Sequence, residues 1–291
     1  MKVLLLGTAA GGGFPQWNCA CPTCADPTLP PRTQDGLAIS ADGAGWYLVN
    51  ASPDIRSQIL AAPELRAGPG PRDTPIRGVL LTDAELDHTL GLLMLREGAG
   101  LEVHAPPAVQ TALRDDFPVR GIVERYGSWS WPTVGIHQQI GGLNVRALPV
   151  SDKRPKYANG GAGPWVVAYR FEDPRTGGVL VYAPCLASLP PEFEEFVDGA
   201  TTVILDGTFY DAQEMTGRTQ ADSQAQVVMG HVPIATSLEH LRKLSALQPG
   251  TSWVYTHLNN TNPVLDPRSS QHRGVRAAGV KVLPDQTALE L

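Results

Sequence analysis

The stretch that decides the fold is GVLLTDAELDHTLG, residues 78–91. A short apolar run, typical of a buried strand, leads here into a tight loop, and a Leu/Met-rich helix is predicted to follow over Thr89–Arg96. The loop carries three carboxylates and a histidine, which are Asp83, Glu85, Asp87 and His88. A strand that ends in such a loop aims several side chains at one point beyond the strand end, and the stretch therefore predicts a polar site there.

Short apolar or β-branched runs bounded by turn residues recur along the chain and predict further strands. The predicted strands are Lys2–Leu6, Gly45–Asn50, Ile76–Thr82, Leu101–His104, Leu143–Val150, Trp165–Phe171, Gly178–Ala183, Thr201–Leu205, Trp253–Thr256 and Val280–Leu283. Further helices are predicted over Pro107–Asp115 and, behind a Ser cap, over Ser237–Leu247. Many strands interspersed with helices favour an α/β fold in which two packed sheets are covered by helices. No composition shift marks a boundary, so one domain over residues 1–291 is expected.

Charge and hydropathy restrict the function classes. A formal net charge of -6 argues against a nucleic-acid-binding role, because that role needs a basic face to displace counterions from phosphates. No stretch approaches the ~20 consecutive apolar residues that span a bilayer, and the apolar run Val3–Leu6 is too brief for the core of a signal peptide. We therefore expect a cytoplasmic protein without membrane insertion, in a compartment where clustered cysteines more often bind metal than form disulfides.

Three of the four cysteines, Cys19, Cys21 and Cys24, fall within six residues, 19–24. Tetrahedral zinc needs four soft or borderline ligands, so one more must come from elsewhere in the chain. His231, between Gly230 and a Val-Pro pair, is the predicted fourth ligand, and Cys185 is the alternative. A closed site of this kind would be structural rather than catalytic; three reduced, unpaired thiols are the simpler interpretation.

The loop at residues 78–91 resembles the strand-to-helix loop of the metallo-β-lactamase superfamily, which reads His-x-His-x-Asp-His with a glycine shortly after. This resemblance implies an αββα sandwich of two packed mixed sheets flanked by helices. Asp87 and His88 match the second pair of that motif, whereas Asp83 and Glu85 stand where its first two histidines would be. An ordinary dizinc hydrolase site is therefore not expected.

Later ligand positions of the superfamily are also altered. Ser151-Asp152 stands where a histidine is expected after a strand, and Pro184-Cys185 replaces an expected bridging aspartate. The last histidine is present as His257, at the end of a predicted strand. Asp87, His88 and His257 would form a two-His, one-carboxylate set, which is associated with non-haem Fe²⁺ chemistry, with Zn²⁺ as the alternative metal.

Further carboxylates are assigned to this predicted site. Asp83 and Glu85 could add oxygen ligands or transfer protons. Asp206, just past a predicted strand, is a candidate pocket residue with a catalytic part or, equally, a turn residue that caps Gly207.

The chain resembles, nearly end to end, the pyrroloquinoline quinone (PQQ) biosynthesis protein B family. The motifs that carry the resemblance are LGTAAGGGFPQWNC (residues 6–19), the CxCxxC cluster, NASPDIR (50–56), TDAELDH (82–88), LDGTF (205–209), MGH (229–231) and YTHLNNTNP (255–263). The cysteine-plus-histidine site alone also looks like that of phosphodiesterases linked to carbon–phosphorus lyase.

That resemblance implies a bacterial protein that helps to make the redox cofactor PQQ. Its implied reaction is iron- and oxygen-dependent hydroxylation of the tyrosine ring in a Glu-Tyr-derived precursor. One alternative is a carrier of PQQ or its precursor toward the periplasm, and another is a metal-dependent phosphodiesterase or other hydrolase.

Expected partners are the small-molecule or dipeptide precursor, other proteins of the pathway and a second copy of the chain. Lys153, Arg154 and Lys156 form a dense basic cluster that either binds the carboxylates of the precursor or is a solvated loop.

Overall fold

Two mixed β-sheets form the centre of the protein in the computed structural model, which describes residues 1–161, 163–214 and 229–291. The first sheet contains, in spatial order, β13 (Thr287–Glu290), β1 (Lys2–Gly7), β2 (Gly36–Ser40), β3 (Trp46–Val49), β4 (Ile76–Leu80) and β5 (Glu102–His104). The second contains β12 (Val280–Val282), β11 (Ser252–Thr256), β10 (Thr202–Asp206), β9 (Val179–Ala183), β8 (Val166–Glu172), β7 (Leu143–Ser151) and β6 (His137–Ile140).

Each sheet has an antiparallel part and a parallel part. In the first sheet β3, β4 and β5 run parallel, and in the second sheet β9, β10, β11 and β12 do so. Parallel strands all end at the same edge of their sheet, and residues that follow these strands are therefore brought together.

Helices connect and cover the strands. They are α1 (Pro22–Ala25), α2 (Ile55–Ala61), α3 (Leu86–Thr89), α4 (Gly91–Met94), α5 (Pro107–Asp115), α6 (Val119–Val123), α7 (Phe193–Val197), α8 (Ile234–Leu247) and α9 (Ser270–Ala277), with single 3₁₀ turns at Pro63–Leu65 and Pro263–Leu265. Among the helices that the structure describes, none has both the length and the apolar character needed to cross a membrane.

Both faces of the central strands are buried, which places the two sheets face to face. Along β10, Ile204 belongs to an apolar cluster to which both sheets contribute, including Leu37 of β2 and Tyr182 of β9. Its neighbours Val203 and Leu205 belong to the cluster that contains the buried stripe of α8. Successive residues of a strand point to opposite faces, so one face of β10 meets the other sheet and the opposite face meets helices. The αββα sandwich that the sequence predicts is confirmed.

All ten predicted strands are present, with ends that differ by at most two residues. The sequence misses β2, β6 and β13. β2 consists of GLAIS, and glycine and alanine have low strand propensity. β6 and β13 are edge strands with mostly polar sequences, HQQI and TALE, and they lack the apolar run by which the other strands were found.

Two helix predictions need correction. The helix expected over Thr89–Arg96 is the pair α3 and α4, which begins earlier, at Leu86, and ends at Met94. The predicted cap Ser237 lies inside α8, which begins at Ile234 directly after Pro233. Ser237 is buried, and its hydroxyl donates a hydrogen bond to the carbonyl of Ile234 and lies 3.1 Å from the hydroxyl of Tyr255. The first two backbone N–H groups of α8, those of Ile234 and Ala235, donate to the carbonyls of Phe209 and Tyr210, so no side-chain cap is needed for them.

A buried tyrosine on β8 ties the two sheets together and provides a test of this packing. Tyr169 is fully buried, and its hydroxyl donates a 2.8 Å hydrogen bond to the carbonyl of Leu81, just after β4. Tyr169→Phe leaves that carbonyl without its donor, so we expect the free energy of unfolding in urea to fall by about 1–3 kcal/mol. The exposed Tyr126→Phe is the control and should stay within about 0.5 kcal/mol of the parent protein. Equal effects of the two substitutions would contradict the proposed tie between the sheets.

Candidate metal centres

The carboxyl ends of strands from both sheets meet at one edge of the sandwich. The loop after β4 supplies Asp87 and His88, the residue pair after β9 supplies Cys185, and β11 is followed by His257. These four residues line a cavity of about 1140 Å³. Ligand sites of α/β proteins lie beyond the carboxyl ends of parallel strands, and the position of this cavity follows that rule.

His88 is held by a buried carboxylate. Its Nδ1 lies 2.8 Å and 3.0 Å from the two carboxylate oxygens of Asp83, and both side chains are buried. The hydroxyl of Thr82 and the backbone N–H of Glu85 donate further hydrogen bonds to Asp83. Because these groups occupy both oxygens, Asp83 positions His88. The prediction that Asp83 is a catalytic or ligating group is corrected accordingly.

The other ring nitrogen of His88 has the features of a metal ligand. His88 Nε2 is buried, and no hydrogen-bond partner for it exists among residues 1–161, 163–214 and 229–291. With Nδ1–H donated to Asp83, the neutral ring presents a lone pair at Nε2. Metal-binding histidines have this arrangement, in which a carboxylate holds one nitrogen and the metal takes the other.

His257 lies opposite His88 in a strained backbone conformation. Its φ of 56° is in the left-handed region, which non-glycine residues rarely adopt outside functional sites. His257 Nδ1 lies 2.8 Å from the hydroxyl of Thr208, and Nε2 lies 3.3 Å from a carboxylate oxygen of Asp87. The rings of His88 and His257 are 5.2 Å apart. Asp87 and His88, two of the three residues that the sequence predicts as one ligand set, thus both lie beside the third, His257.

A glycine allows Asp87 to reach this position. A Cβ placed on Gly11 would lie 3.0 Å from a carboxylate oxygen of Asp87, so a larger residue would push the carboxylate away. Gly11 and Gly12 also line the cavity. The glycine loop after β1 therefore allows close approach of the backbone to Asp87.

The charges around Asp87, His88 and His257 favour a positive charge at this site. Burial opposes the charged imidazolium, yet the neighbouring charges of Asp83 and Asp87 raise the pKa of His88 to about 10. Burial likewise opposes the carboxylate form of Asp87, but His88 and His257 lower its pKa below the ordinary value. Without a metal, protons are thus held between these groups. A divalent cation can replace those protons and satisfy the same carboxylates.

His231 lies at this site and not at the cysteine cluster. Its Nδ1 is 2.7 Å from a carboxylate oxygen of Asp206, and its ring stacks on His257 with centroids 5.3 Å apart. The prediction that His231 completes the cysteine site is wrong, because His231 lies with Asp206 and Thr208 beside His257, at the end of β11. Motif spacing along the chain could not reveal this long-range contact.

Asp206 is the turn residue that the sequence offered as one of two alternatives, because Thr208 donates to it across Gly207; a catalytic role for Asp206 stays a prediction. It is fully buried and accepts hydrogen bonds from the backbone N–H of Leu186 and from Thr208, through both its N–H and its hydroxyl. It therefore positions His231 and, through Thr208, His257. Thr208 was missed by the sequence analysis, although it follows Asp206 and Gly207 directly.

The cysteine cluster forms as predicted. The sulfurs of Cys19, Cys21 and Cys24 lie within 4.8 Å of one another and can bind one metal ion. Burial opposes ionisation of Cys21, but hydrogen bonds, chiefly from Thr23, lower the pKa of its thiol to about 7. Thiolate is the metal-binding form of cysteine, so this environment suits zinc.

A different residue faces the three thiols. The side-chain amide nitrogen of Asn260 is 3.3 Å from the sulfur of Cys24 and 3.8 Å from that of Cys21. The alternative fourth ligand Cys185 is also wrong, because it is buried beside His88 and His257. Asn260 was missed, although it lies in the polar turn that follows His257.

The wall of the cavity carries the basic cluster and Glu85. Lys153, Arg154 and Lys156 all line the cavity. The ammonium group of Lys153 forms a 2.9 Å ion pair with Glu85, which is half-buried and also lines the cavity. Glu85 therefore lies at the wall, where it can meet a substrate.

Comparisons with known proteins agree with this architecture. The model of the Beta-lactamase superfamily domain matches residues 45–258, so the chain belongs to the β-lactamase superfamily. Within that superfamily, the chain belongs to the family of coenzyme PQQ synthesis protein B. It is 37% identical to the family member of Azoarcus sp. (strain BH72), with 100% of both chains covered, and 37% identical to that of Methylococcus capsulatus, with 98% of both covered.

Solved structures support the same assignment. The structure of Zn²⁺-bound PqqB from Methylobacterium extorquens is 32% identical and superposes with a TM-score of 0.89 over 100% of both chains. A diphosphatase from the PhnP family superposes with a TM-score of 0.72 at 18% identity, covering 100% of this chain and 96% of the other, and shares the fold.

The reassignment of His231 makes a prediction about zinc content. We expect protein purified without chelators to keep the zinc of the cysteine cluster in His231→Ala, because His231 lies at the other site. Cys21→Ser should lose that zinc, since it removes one of three thiolates. Metal analysis of the folded variants measures this directly. Loss of cysteine-bound zinc from His231→Ala would restore His231 as its ligand.

Proposed function

We propose that this protein acts in PQQ biosynthesis as a metal-dependent enzyme that hydroxylates the tyrosine ring of a Glu-Tyr-derived precursor. Fe²⁺ is the proposed working metal, dioxygen is the oxidant, and a two-electron reductant from outside the protein supplies the electrons that reduce the second oxygen atom to water. Membership of the coenzyme PQQ synthesis protein B family supports the pathway. The reaction and the metal rest on the chemistry of the site.

One observation carries the proposal: His88 Nε2 is a buried nitrogen without a hydrogen-bond partner in the part of the chain that the structure describes, and His88, His257 and Asp87 line one wide cavity. Two imidazoles and one carboxylate with open positions are the ligand set of non-haem iron oxygenases. The residues present therefore fit an iron ion, which when bound supplies the redox chemistry needed to activate dioxygen.

The surrounding residues prepare this ligand set. Asp83 fixes the ring and the tautomer of His88, while Thr208 holds Nδ1 of His257 so that Nε2 turns to the cavity. Such outer contacts typically change metal affinity or activity by about 10–100-fold when they are removed. The site is thus built to hold its metal ligands rigidly.

The cavity wall fits an anionic aromatic substrate. Lys153, Arg154 and Lys156 present cations that can pair with the carboxylates of a Glu-Tyr-derived compound. Glu85, already within 2.9 Å of the ammonium of Lys153, is the carboxylate placed to accept or return a proton at the phenol. The cluster predicted from sequence as carboxylate-binding thus lies at the proposed site.

Superfamily relatives of the same fold include a diphosphatase. Here Asp83, Glu85 and Ser151 stand where histidine ligands of that superfamily were expected, and Asp83 is already committed to His88. Histidines that would hold a metal ion in the usual hydrolase site are therefore replaced here, which favours the single-metal oxygenase over a hydrolase.

The reaction is tested with anaerobically Fe²⁺-loaded protein, a Tyr-Glu-type substrate and an added two-electron reductant such as ascorbate, followed by exposure to dioxygen. We expect oxygen consumption with addition of one oxygen atom to the substrate, measured by an oxygen electrode and mass spectrometry. Asp87→Ala should lower the rate by about 100-fold or more, because it removes a metal ligand, whereas the exposed Asp115→Ala should not.

Two other outcomes would each contradict the proposal. Cleavage of bis-phosphodiester substrates by zinc- or manganese-loaded protein, together with no oxygen uptake by the iron-loaded form, would indicate a hydrolase. Tight binding of PQQ without turnover, unchanged by Asp87→Ala, would indicate a carrier.

A further inference from the structure

Cys185 is a fourth side chain with a metal-binding atom at the proposed centre. Its sulfur and the ligand atoms of His88 and His257 all lie within 4.8 Å of one another, and all three residues are buried. It does not belong to the set of two imidazoles and one carboxylate on which the proposed function rests.

The surroundings of Cys185 differ from those of an ordinary core cysteine. One side of the residue packs on the apolar cluster beneath β9. The other side lines the cavity, where it shares its space with the unpartnered His88 Nε2 and with the charges of Asp83 and Asp87. A small apolar residue would satisfy the packing, so the sulfur calls for a separate explanation.

The backbone around Cys185 is fixed. Pro184 precedes it, and the N–H of the next residue, Leu186, donates a 2.7 Å hydrogen bond to Asp206. The carbonyl of Leu186 accepts a 2.6 Å hydrogen bond from Val232, next to His231. The sulfur is thus held at a defined place relative to the two histidines, as a metal ligand must be.

We propose that the Cys185 thiolate is a ligand of the metal centre formed by Asp87, His88 and His257. The thiol releases its proton to solvent when the metal binds. One thiolate and one carboxylate then balance the two charges of a divalent cation, and the imidazoles stay neutral. A soft sulfur ligand favours Zn²⁺, Fe²⁺ or Cd²⁺ over the hard cations Mg²⁺ and Mn²⁺. This inference rests on the proposed metal centre and is independent of the hydroxylation reaction.

The test uses Co²⁺ added to the full-length protein with zinc kept in the cysteine cluster. Subtracting the spectrum of His88→Ala from that of the parent protein isolates the cobalt at the His88 site. We expect this difference spectrum to contain a near-ultraviolet sulfur-to-cobalt charge-transfer band beside the visible ligand-field bands. Cys185→Ser should lose the charge-transfer band, and Leu186→Met, a volume-conserving change at the next residue, should keep it.

Metal affinity gives a second readout. In Cys185→Ser the Cd²⁺ affinity of the His88-dependent site should fall by at least about ten-fold. Removing a group that only hydrogen-bonds to a metal ligand already lowers metal affinity by about 10–100-fold. The Mn²⁺ affinity should change by less than about three-fold, because a hard cation gains little from sulfur.

The possible failures are distinguishable. A charge-transfer band that persists in Cys185→Ser overturns the role of Cys185 and leaves the metal centre standing. Absence of any His88-dependent cobalt binding overturns the metal centre and the function proposed on it. If Cys185→Ser does not fold, cadmium NMR of the parent protein decides: the resonance that His88→Ala removes must fall in the range of thiolate-ligated cadmium, and a purely nitrogen–oxygen shift overturns the inference.

Discussion

The carboxylate of Asp83 holding Nδ1 of His88 is the interaction on which the rest of the site depends. It fixes the histidine ring, leaves Nε2 as a buried lone pair and adds negative charge behind the ligand. The equivalent position of the superfamily motif was expected to be a histidine, which would itself be a ligand. Here the carboxylate stands behind a ligand instead, and the single open centre that we propose rests on this difference. The chemistry that we propose follows from this change.

The cysteine cluster supports the same centre from outside. The hydroxyl of Thr23 donates a 2.6 Å hydrogen bond to the carbonyl of Asn260, which lies three residues after His257. Leu258 lies between His257 and Asn260, and its backbone N–H donates a hydrogen bond to the carbonyl of Thr8. A zinc ion that orders the cysteines therefore also orders the turn that keeps His257 in its left-handed conformation. The cysteine cluster and the site at His88 use different ligand residues, but both contact this turn.

The fold and much of the site could be predicted from local sequence patterns. The remaining features of the site depend on long-range contacts. The strands are short apolar runs, and Asp87, His88 and the three clustered cysteines are close in sequence, so they could be found from spacing. Three placements depend on which strand ends are neighbours in the fold. They are His231 beside Asp206, Cys185 beside His88, and Asn260 beside the clustered cysteines. No pattern within a single segment carries that information. The role of Asp83 in positioning His88 was missed for a related reason. In a sequence motif, a carboxylate that binds metal cannot be distinguished from one that holds a histidine ligand.

The most direct test of this account is the metal affinity of the His88-dependent site in Asp83→Asn. The amide keeps the shape of the carboxylate and removes its charge, so we expect Fe²⁺ and Zn²⁺ affinity there to fall by about 10–100-fold. Zinc in the cysteine cluster and the circular dichroism spectrum should not change, and the exposed Asp115→Asn should bind metal like the parent protein. Unchanged affinity in Asp83→Asn would show that the carboxylate behind His88 does not control the centre, and would contradict the account.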